Sequence, residues 1–171
     1  MNWIYKGRCW KFGANVGIDG DMMPLEFALK RELDPKVLGP HLMTGLDPEF
    51  PNKVRPGDVI VAGERFAQGN PHIQGLIGIR AHRLGLVVES IPRGSFRNAI
   101  NAGLPFLPHC PGVTQAVETG DDIEVDFQHG AFFNRTRGTR LQFDPLPPAL
   151  LDIIALGGWR EHLKRRIAAS A

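Results

Sequence analysis

The segment Gln68-Gly69-Asn70-Pro71-His72 carries the residue types best suited to chemistry in this sequence. His72 is a candidate general base or carboxylate ligand, because the imidazole pKa lies near the pH at which most enzymes work. Asn70 and Pro71 predict the start of a helix, with an N-cap side chain followed by proline at the first helical position. A helix N-terminus preceded by glycine favours anions. The alternative interpretation is a capping asparagine beside an incidental surface histidine.

A second candidate segment contains Ser90 and Arg93. It follows the apolar run 86–88, and the first segment follows the apolar run Val59–Ala62; both runs are typical of buried strands. A helical pattern lies between them, and such a strand–helix–strand unit is parallel and right-handed. Ligands of open α/β sheets bind at the carboxyl ends of strands. We therefore expect both segments at one edge, with Arg93 positioned to meet a substrate carboxylate; the alternative is a solvated loop arginine.

The cysteine and histidine patterns argue against a metal centre or catalytic thiol in this chain. Cys9 and Cys110 form no CxxC motif, and two thiols cannot complete a four-thiolate zinc or iron–sulfur site. The six histidines include no i, i+4 pair of the kind found on metal-binding helices. Cys110 follows His109 directly, and adjacent residues rarely face each other productively. Two free, buried thiols indicate a reducing, cytoplasmic location.

Length and composition predict a single globular domain over residues 1–171. Hydrophobic residues make up 43% of the chain and charged residues 22%, which excludes a disordered class. The formal net charge of +2 is too small for a general nucleic-acid or membrane-surface binder. The apolar runs are only a few residues long, so no transmembrane helix is expected, and the N-terminal residues lack the layout of a signal peptide.

Apolar spacing and turn residues predict the elements that position the two segments. Alternating bulky and polar residues predict a first strand over 3–12, and 104–107 is a further strand candidate. Helical spacing predicts four helices, over 25–33, 37–43, 70–84 and 95–102. Gly85 is expected to end the third helix. Residues 44–57 hold three prolines and are predicted to be a loop.

The C-terminal part changes to a period of two, which predicts an antiparallel meander over 123–143. Two helices follow, over 149–156 and 159–167. The second has Trp159, Leu163 and Ile167 on one face. Its late basic residues complement the helix dipole, so we interpret them as a solvated helix end and not as a nucleic-acid patch. Both helices, about 148–168, are expected to pack on the domain.

Four motifs in this order resemble those of the small subunit of 3-isopropylmalate dehydratase, the swivelling domain of the aconitase superfamily. They are Gly57-Asp58-Val59-Ile60-Val61-Ala62-Gly63 with Phe66 and Gly69 after it, Ser95-Phe96-Arg97-Asn98-Ala99-Ile100-Asn101-Ala102-Gly103-Leu104-Pro105, Gly120-Asp121-Asp122-Ile123-Glu124-Val125-Asp126, and Gly157-Gly158-Trp159. Each motif alone is modest. Their order and spacing make the resemblance fairly specific, and it covers roughly residues 13–166.

The resemblance implies an α/β chain with the three-layer β/β/α swivelling fold. It also implies a hydro-lyase of two subunits, in which a larger partner subunit carries a [4Fe–4S] cluster and the active site lies at the interface. No cofactor is expected on this chain itself. The family isomerises 2-isopropylmalate to 3-isopropylmalate, a step of leucine biosynthesis, or acts on homoaconitate- or dimethylmalate-type hydroxy-acids. The alternative is a diverged, non-catalytic paralogue that binds a partner or a small anion.

The sequence departs from the family at its catalytic motif. After the glycine, the family has Ser-Ser-Arg, in which one serine acts as the base and the arginine holds a substrate carboxylate; this chain has Asn70, Pro71 and His72. An amide cannot become an alkoxide base, and a protonated His72 offers one charged donor in place of the arginine fork. His72 and Asn70 are therefore the catalytic candidates. The candidates for substrate binding near them are Gln68, Gly69, Ser90 and Arg93.

A second departure lies in the aspartate loop that precedes the first predicted helix. The family's Thr-Asp-x-Ile-Ile-Pro segment corresponds to residues 18–24, which contain one extra residue. Both Asp19 and Asp21 are therefore candidates for the family's aspartate. The residues that follow form the family's substrate-recognition loop, so the resemblance makes Leu25, Phe27 and Lys30 candidates for contacting the substrate's side chain.

Overall fold

The longest strand, β1 (Ile4–Phe12), runs through the middle of a seven-stranded sheet. The computed structural model describes residues 1–170. The sheet has the order β4-β3-β2-β1-β5-β6-β7. The other strands are β2 (Val59–Ala62), β3 (Gly85–Val88), β4 (Phe106–Leu107), β5 (Asp122–Asp126), β6 (Ala131–Asn134) and β7 (Thr139–Gln142).

β1 joins a parallel half of the sheet to an antiparallel half. Its C-terminal residues, from Cys9 to Phe12, pair in parallel with β2, and β3 and β4 continue the parallel order. Its first residues pair antiparallel with β5, and β6 and β7 complete the meander. The predicted parallel strand–helix–strand unit and the predicted antiparallel meander are both confirmed.

Side-chain alternation in the parallel strands separates two cores. On one face, Val59, Val61 and Val87 pack with apolar residues of the antiparallel half such as Ile123 and Phe127. The opposite face of these strands packs against the helices. Because the period of a strand is two, a continuous apolar run fills both cores at once. The three layers are therefore antiparallel sheet, parallel sheet and helices, which confirms the predicted β/β/α class.

Residues 1–170 contain seven α-helices, and the third to the sixth bury side chains against the outer face of the parallel half. The first is shorter than the predicted 25–33, because Arg31 adopts a left-handed backbone (φ +54°) and the chain turns. The second begins earlier, since Asp34 accepts a hydrogen bond from the Lys36 N–H and caps it. The helices are α1 (Leu25–Leu29), α2 (Pro35–Leu38), α3 (Phe50–Lys53), α4 (Gln74–Ala81), α5 (Arg93–Asn101), α6 (Pro148–Ala155) and α7 (Trp159–Ala169). α3 lies inside the predicted loop 44–57, which was therefore wrong over those four residues.

The helix start predicted at Asn70 is wrong, because α4 begins at Gln74. The His72 N–H bonds to the Asn70 carbonyl (2.7 Å), which closes a tight turn before the helix. The Asn98 side chain donates to the Pro71 carbonyl and holds this turn against α5. Asn70 is thus not an N-cap. Gly85 does not end the helix either, but opens β3, where a Cβ atom would lie 2.4 Å from the Phe127 ring.

The two C-terminal helices differ in burial. α6 buries Leu151 and Ile154 in the core between sheet and helices. α7 contacts α5 and α6, but none of its eleven residues is buried. Within residues 1–170, no helix is both long enough and apolar enough to cross a membrane.

Candidate active site

Three chain segments meet at the carboxyl edge of the parallel strands. Phe12, Ala62 and Val88 stand side by side in the register of β1, β2 and β3. The segments that follow these three residues therefore leave the sheet at one place. Two of these segments, which contain His72 and Arg93, were predicted to meet at this edge. The third is the aspartate loop after β1.

The aspartate loop is fastened to the loop after β2 by backbone hydrogen bonds. The Ile18 N–H donates to the Gln68 carbonyl (2.9 Å), and the Gln68 N–H donates to the Val16 carbonyl (3.1 Å). The Gln68 side-chain amide also donates to the Asn15 carbonyl (3.0 Å). The Gln68 amide thus holds the loop together, and the two loops form one unit.

His72 and Asp19 form a close pair in this unit. The Nδ1 atom of His72 lies 2.8 Å and 2.9 Å from the two carboxylate oxygens of Asp19. The two side chains are 33% and 26% exposed, so the pair is open to a small molecule. The Asp21 carboxylate instead accepts a hydrogen bond from the Gly17 N–H (2.8 Å), which closes the aspartate loop. Of the two candidate aspartates, Asp19 is therefore the one that reaches the catalytic segment.

The arrangement of this pair suits proton transfer. A carboxylate on Nδ1 fixes the tautomer that carries the proton there, and it stabilises the imidazolium once Nε2 is protonated. Within residues 1–170, the Nε2 atom of His72 makes no hydrogen bond. It is therefore available to a substrate, either as a base or, when protonated, as a donor to a carboxylate.

Strained backbone surrounds the pair. Arg65, Ala67 and Asn15 all have left-handed φ angles, of +54°, +61° and +62°, which side-chain-bearing residues rarely adopt. The Ser90 hydroxyl accepts the Arg65 N–H (2.9 Å), and the buried Ser95 hydroxyl donates to the Ala67 carbonyl (2.6 Å). Such strain persists only where neighbours hold it, and it clusters at functional sites.

Arg93 is the predicted carboxylate ligand, and it begins α5 beside this unit. It is exposed, and within residues 1–170 no carboxylate lies at ion-pair distance from it. A Cβ atom at Gly94 would lie 2.7 Å from the Pro71 ring, so the start of α5 and the turn before α4 touch. Arg93 and His72 are therefore the immediate chain neighbours of two residues in contact, Gly94 and Pro71. Ser90 is brought to the site, but its hydroxyl supports the Arg65 backbone.

The recognition-loop candidates divide into exposed and buried residues. Leu25 is 45% exposed, and Lys30 lies on the surface in an ion pair with Glu26 (2.7 Å). Phe27 is buried with Met23 and Leu38 and does not present its ring to solvent. A bridge between Asp19 and Met23 closes the aspartate loop just before α1. Gly69 and Asn70 are exposed beside His72.

Arg65 is a further candidate residue at this edge, which the sequence patterns did not single out. Its Nε atom donates to the Asn15 side chain (2.6 Å), and its guanidinium lies exposed on the loop after β2. The available signal was its position between a buried strand and Gly69, on the edge where ligands bind. It adds a second arginine to the edge that carries Arg93.

Neither thiol belongs to the site. Cys9 and Cys110 are buried in the core between the two halves of the sheet. Burial raises the pKa of each thiol to about 12, and Asp121 adds to the effect at Cys9. Thiols that stay protonated are poor nucleophiles. Among the described residues, no three histidine, cysteine or acidic side chains lie together as a metal site.

Full-length relatives of known name exist for this chain, although no family model matches it. It is 39% identical over 171 residues to the isopropylmalate/citramalate isomerase small subunit of Methanocaldococcus jannaschii, covering 99% of each. It is 47% identical over 160 residues to the 3-isopropylmalate dehydratase small subunit of Pyrobaculum neutrophilum, covering 93% of this chain and 96% of that one. A crystal structure of 3-isopropylmalate dehydratase from M. jannaschii superimposes with a TM-score of 0.86 at 33% identity, covering 98% and 97% of the two chains.

Proposed function

The chain belongs to the family of 3-isopropylmalate dehydratase small subunits, and from that membership we propose that it is the small subunit of a two-subunit hydro-lyase. The substrate we propose is a hydroxy-dicarboxylic acid of the isopropylmalate or citramalate type, because relatives of this chain are named for those acids. The enzyme removes water from the acid and adds it back at the neighbouring carbon. The cytoplasmic location expected from the two thiols remains a prediction.

The partner in this proposal is a large subunit that carries a [4Fe–4S] cluster. When bound, that cluster supplies a Lewis acid for the hydroxyl group that leaves and returns. The resemblance to the family is the reason why the proposal assigns the cluster to the large subunit. This chain contributes the residues at the carboxyl edge of its parallel strands.

The observation that carries the proposal is the Asp19–His72 pair at the position of the family's catalytic motif. Dehydration requires a base for the proton on carbon, and an asparagine at position 70 cannot act as an alkoxide. His72 Nε2 takes that proton and returns it during rehydration, while Asp19 stabilises the imidazolium that forms in between. The exposed amide of Asn70 can donate a hydrogen bond to the substrate.

Two arginines supply the remaining binding groups in this proposal. Arg93 and Arg65 both lie exposed at the same edge, and neither has an ion-pair partner within residues 1–170. A guanidinium binds a carboxylate through two parallel hydrogen bonds. The arginine fork that the family motif lost at position 72 is thus available from the neighbouring loops. Leu25 and Lys30 remain candidates for contact with the substrate's side chain.

The test begins with capture of the large subunit by this chain from its native lysate, under nitrogen. The two subunits are then recombined, and turnover of 2-isopropylmalate and of citramalate is measured. We expect His72→Ala to lower kcat by about 100-fold or more, the usual contribution of a general base. His129 is a matched control, because its Nδ1 atom also lies 2.8 Å from a carboxylate, that of Asp126, but on the antiparallel half. His129→Ala should keep full activity.

Two results would count against the proposal in different ways. Full turnover in His72→Ala would remove the proton-transfer role while leaving the hydro-lyase in place. No iron-bearing partner and no turnover of any hydroxy-acid by the wild type would favour the non-catalytic binding module.

A further inference from the structure

The C-terminal helix α7 exposes an apolar stripe that this chain does not cover. Trp159, Leu163 and Ile167 are spaced by four residues, so they lie on one helix face. They are 45%, 43% and 63% exposed. The preceding helix shows the ordinary outcome, since its Leu151 and Ile154 are buried in the core. An amphipathic helix whose apolar face remains in water is typical of a docking element.

The direction of α7 is set by close backbone contacts at its start. A Cβ atom at Gly158 would lie 2.1 Å from the Asn101 carbonyl oxygen, and one at Gly103 would lie 2.6 Å from the Gly157 carbonyl carbon. These glycines let the turn before α7 press against the end of α5. The Gly158 N–H also donates to the Ile153 carbonyl (3.0 Å). The helix is therefore anchored at one end while its apolar face is turned outward.

The charge of α7 restricts what can cover the stripe. Lys164 is paired with Glu161 (2.7 Å). Arg160, Arg165 and Arg166 have no carboxylate at ion-pair distance among the described residues. Arg160 and Arg166 border the stripe, whereas Arg165 lies on the opposite side of the helix. A second α7 packed on the stripe would bring two unpaired arginines against two more, and like charges across an interface oppose association. The complementary surface is an apolar groove with carboxylates along its rim.

We propose that α7 docks its Trp159–Leu163–Ile167 stripe into an acidic-rimmed apolar groove of the large subunit. This inference rests on the proposed function, which supplies the partner. Tryptophan and arginine dominate the binding energy of many interfaces, and α7 carries both around one apolar face. The docking surface is separate from the catalytic edge, so it holds the two subunits together without taking part in the chemistry.

The experiment measures the affinity of the full-length chain for its large subunit by titration calorimetry, under nitrogen. We expect the double variant Leu163→Asp with Ile167→Asp to bind about 100-fold more weakly, the loss typical of removing two interface anchors. Val37→Asp is the matched control, because Val37 is an exposed apolar side chain (39%) on α2. It should bind like the wild type. Far-ultraviolet circular dichroism of each variant checks that α7 remains helical.

Replacement of Arg160 and Arg166 by glutamine tests the acidic rim separately, because these two arginines border the stripe. It should weaken binding and flatten its dependence on salt, because fewer charges are paired across the interface. Affinity within threefold of the wild type in the helical double variant would overturn the docking inference and leave the proposed function intact. So would self-association of the chain alone that the double variant abolishes, because the occupant would then be a second copy. A wild type that binds no large subunit would instead remove the proposed function.

Discussion

The proposed catalytic edge, formed by the loops that follow β1, β2 and β3, and the helix α7 are held in place in contrasting ways. At the edge, backbone bonds join the loops around Ile18 and Gln68, and Ser95 secures the strained turn at Ala67. α7 is anchored near Gly158, and the apolar side chains of its stripe are exposed. The loops at the edge are fixed by hydrogen bonds within this chain, whereas α7 leaves apolar side chains exposed.

This difference separates chemistry from assembly. The Asp19–His72 pair exists in the chain alone, so the proton-transfer geometry needs no partner to form. The exposed face of α7 gains free energy only when another surface covers it. Damage to the edge should therefore change turnover without preventing assembly. Damage to α7 should weaken assembly, and should lower turnover only because less of the complex forms. Each prediction below either strengthens or breaks that separation.

The largest effect is expected from Gly158→Ala. Gly158 has φ +109°, a region that glycine alone adopts readily, and the added methyl group would meet the Asn101 carbonyl. We expect a loss of about 3 kcal/mol in the free energy of unfolding, or local detachment of α7. Urea unfolding and hydrogen exchange of the α7 amides measure both. The catalytic pair should stay intact.

Gly157→Ala provides the control for that substitution. Gly157 also has a left-handed φ (+94°), but its added Cβ would meet only the flexible Glu161 side chain at 3.7 Å. The expected loss is about 1 kcal/mol, from backbone strain alone. Equal losses in the two variants would show that the close approach to α5 does not anchor α7.

A smaller loss is expected from Ser95→Ala at the catalytic edge. The buried Ser95 hydroxyl is the donor to the Ala67 carbonyl, and its removal leaves that carbonyl unpaired. The expected cost is about 1–3 kcal/mol of unfolding free energy, with lowered turnover because the turn before His72 loosens. Ser170→Ala removes a similar bond to the Arg166 carbonyl on the exposed helix end and should cost less than about 0.5 kcal/mol. Normal turnover in a destabilised Ser95→Ala would mean that the turn does not control the site.

Acid unfolding should begin outside both regions, at Asp121. Burial raises the pKa of this carboxyl, but hydrogen bonds from Arg137, Asn134 and the Glu118 N–H outweigh that effect and leave the pKa below the ordinary 3.8. A lowered folded-state pKa contributes stability above the ordinary value, and this contribution is lost as the pH falls below 3.8 through the folded-state pKa.

The variant Asp121→Asn tests whether this carboxyl makes the protein sensitive to acid. Thermal unfolding is measured between pH 7 and pH 3, a range that includes the ordinary carboxyl pKa. The variant should be less stable at neutral pH and should lose less stability than the wild type on acidification. A parallel decline in both proteins would place the acid-sensitive group elsewhere, including at the edge or on α7.

The sequence was most informative where one pattern had one structural solution. The apolar run Val59–Ala62 is typical of a buried strand, and Ile123, Val125 and Phe127 alternate with polar residues at the start of the meander. The turn at Asn70 was misread as a helix cap, because the contacts that oppose a helix there come from Asp19 and Asn98, which are distant in sequence. Local propensity carries no information about such contacts.

Prediction of the candidate site and of the α7 docking face from the sequence was limited in the same way. His72 and Arg93 were identified from residue type and position at the sheet edge, but the choice between Asp19 and Asp21 required the loop's hydrogen bonds. The stripe on α7 was visible as a helical period. A period shows that a helix has an apolar face, but not whether that face meets its own core or another protein.

The smallest effect, and the sharpest test of the strained edge, is expected from Arg65→Gly. Arg65 and Arg83 are both exposed arginines with left-handed backbones, φ +54° and +55°, but only Arg65 lies at the edge. Glycine at either position should raise the free energy of unfolding by about 0.5–1 kcal/mol, because it adopts that backbone without strain. Arg65→Gly should nevertheless raise KM for the hydroxy-acid, whereas Arg83→Gly should leave the kinetics unchanged. A stabilised Arg65→Gly with normal kinetics would show that the Arg65 guanidinium does not bind the substrate, and the chemistry of this edge would then depend on His72, Asp19 and Arg93.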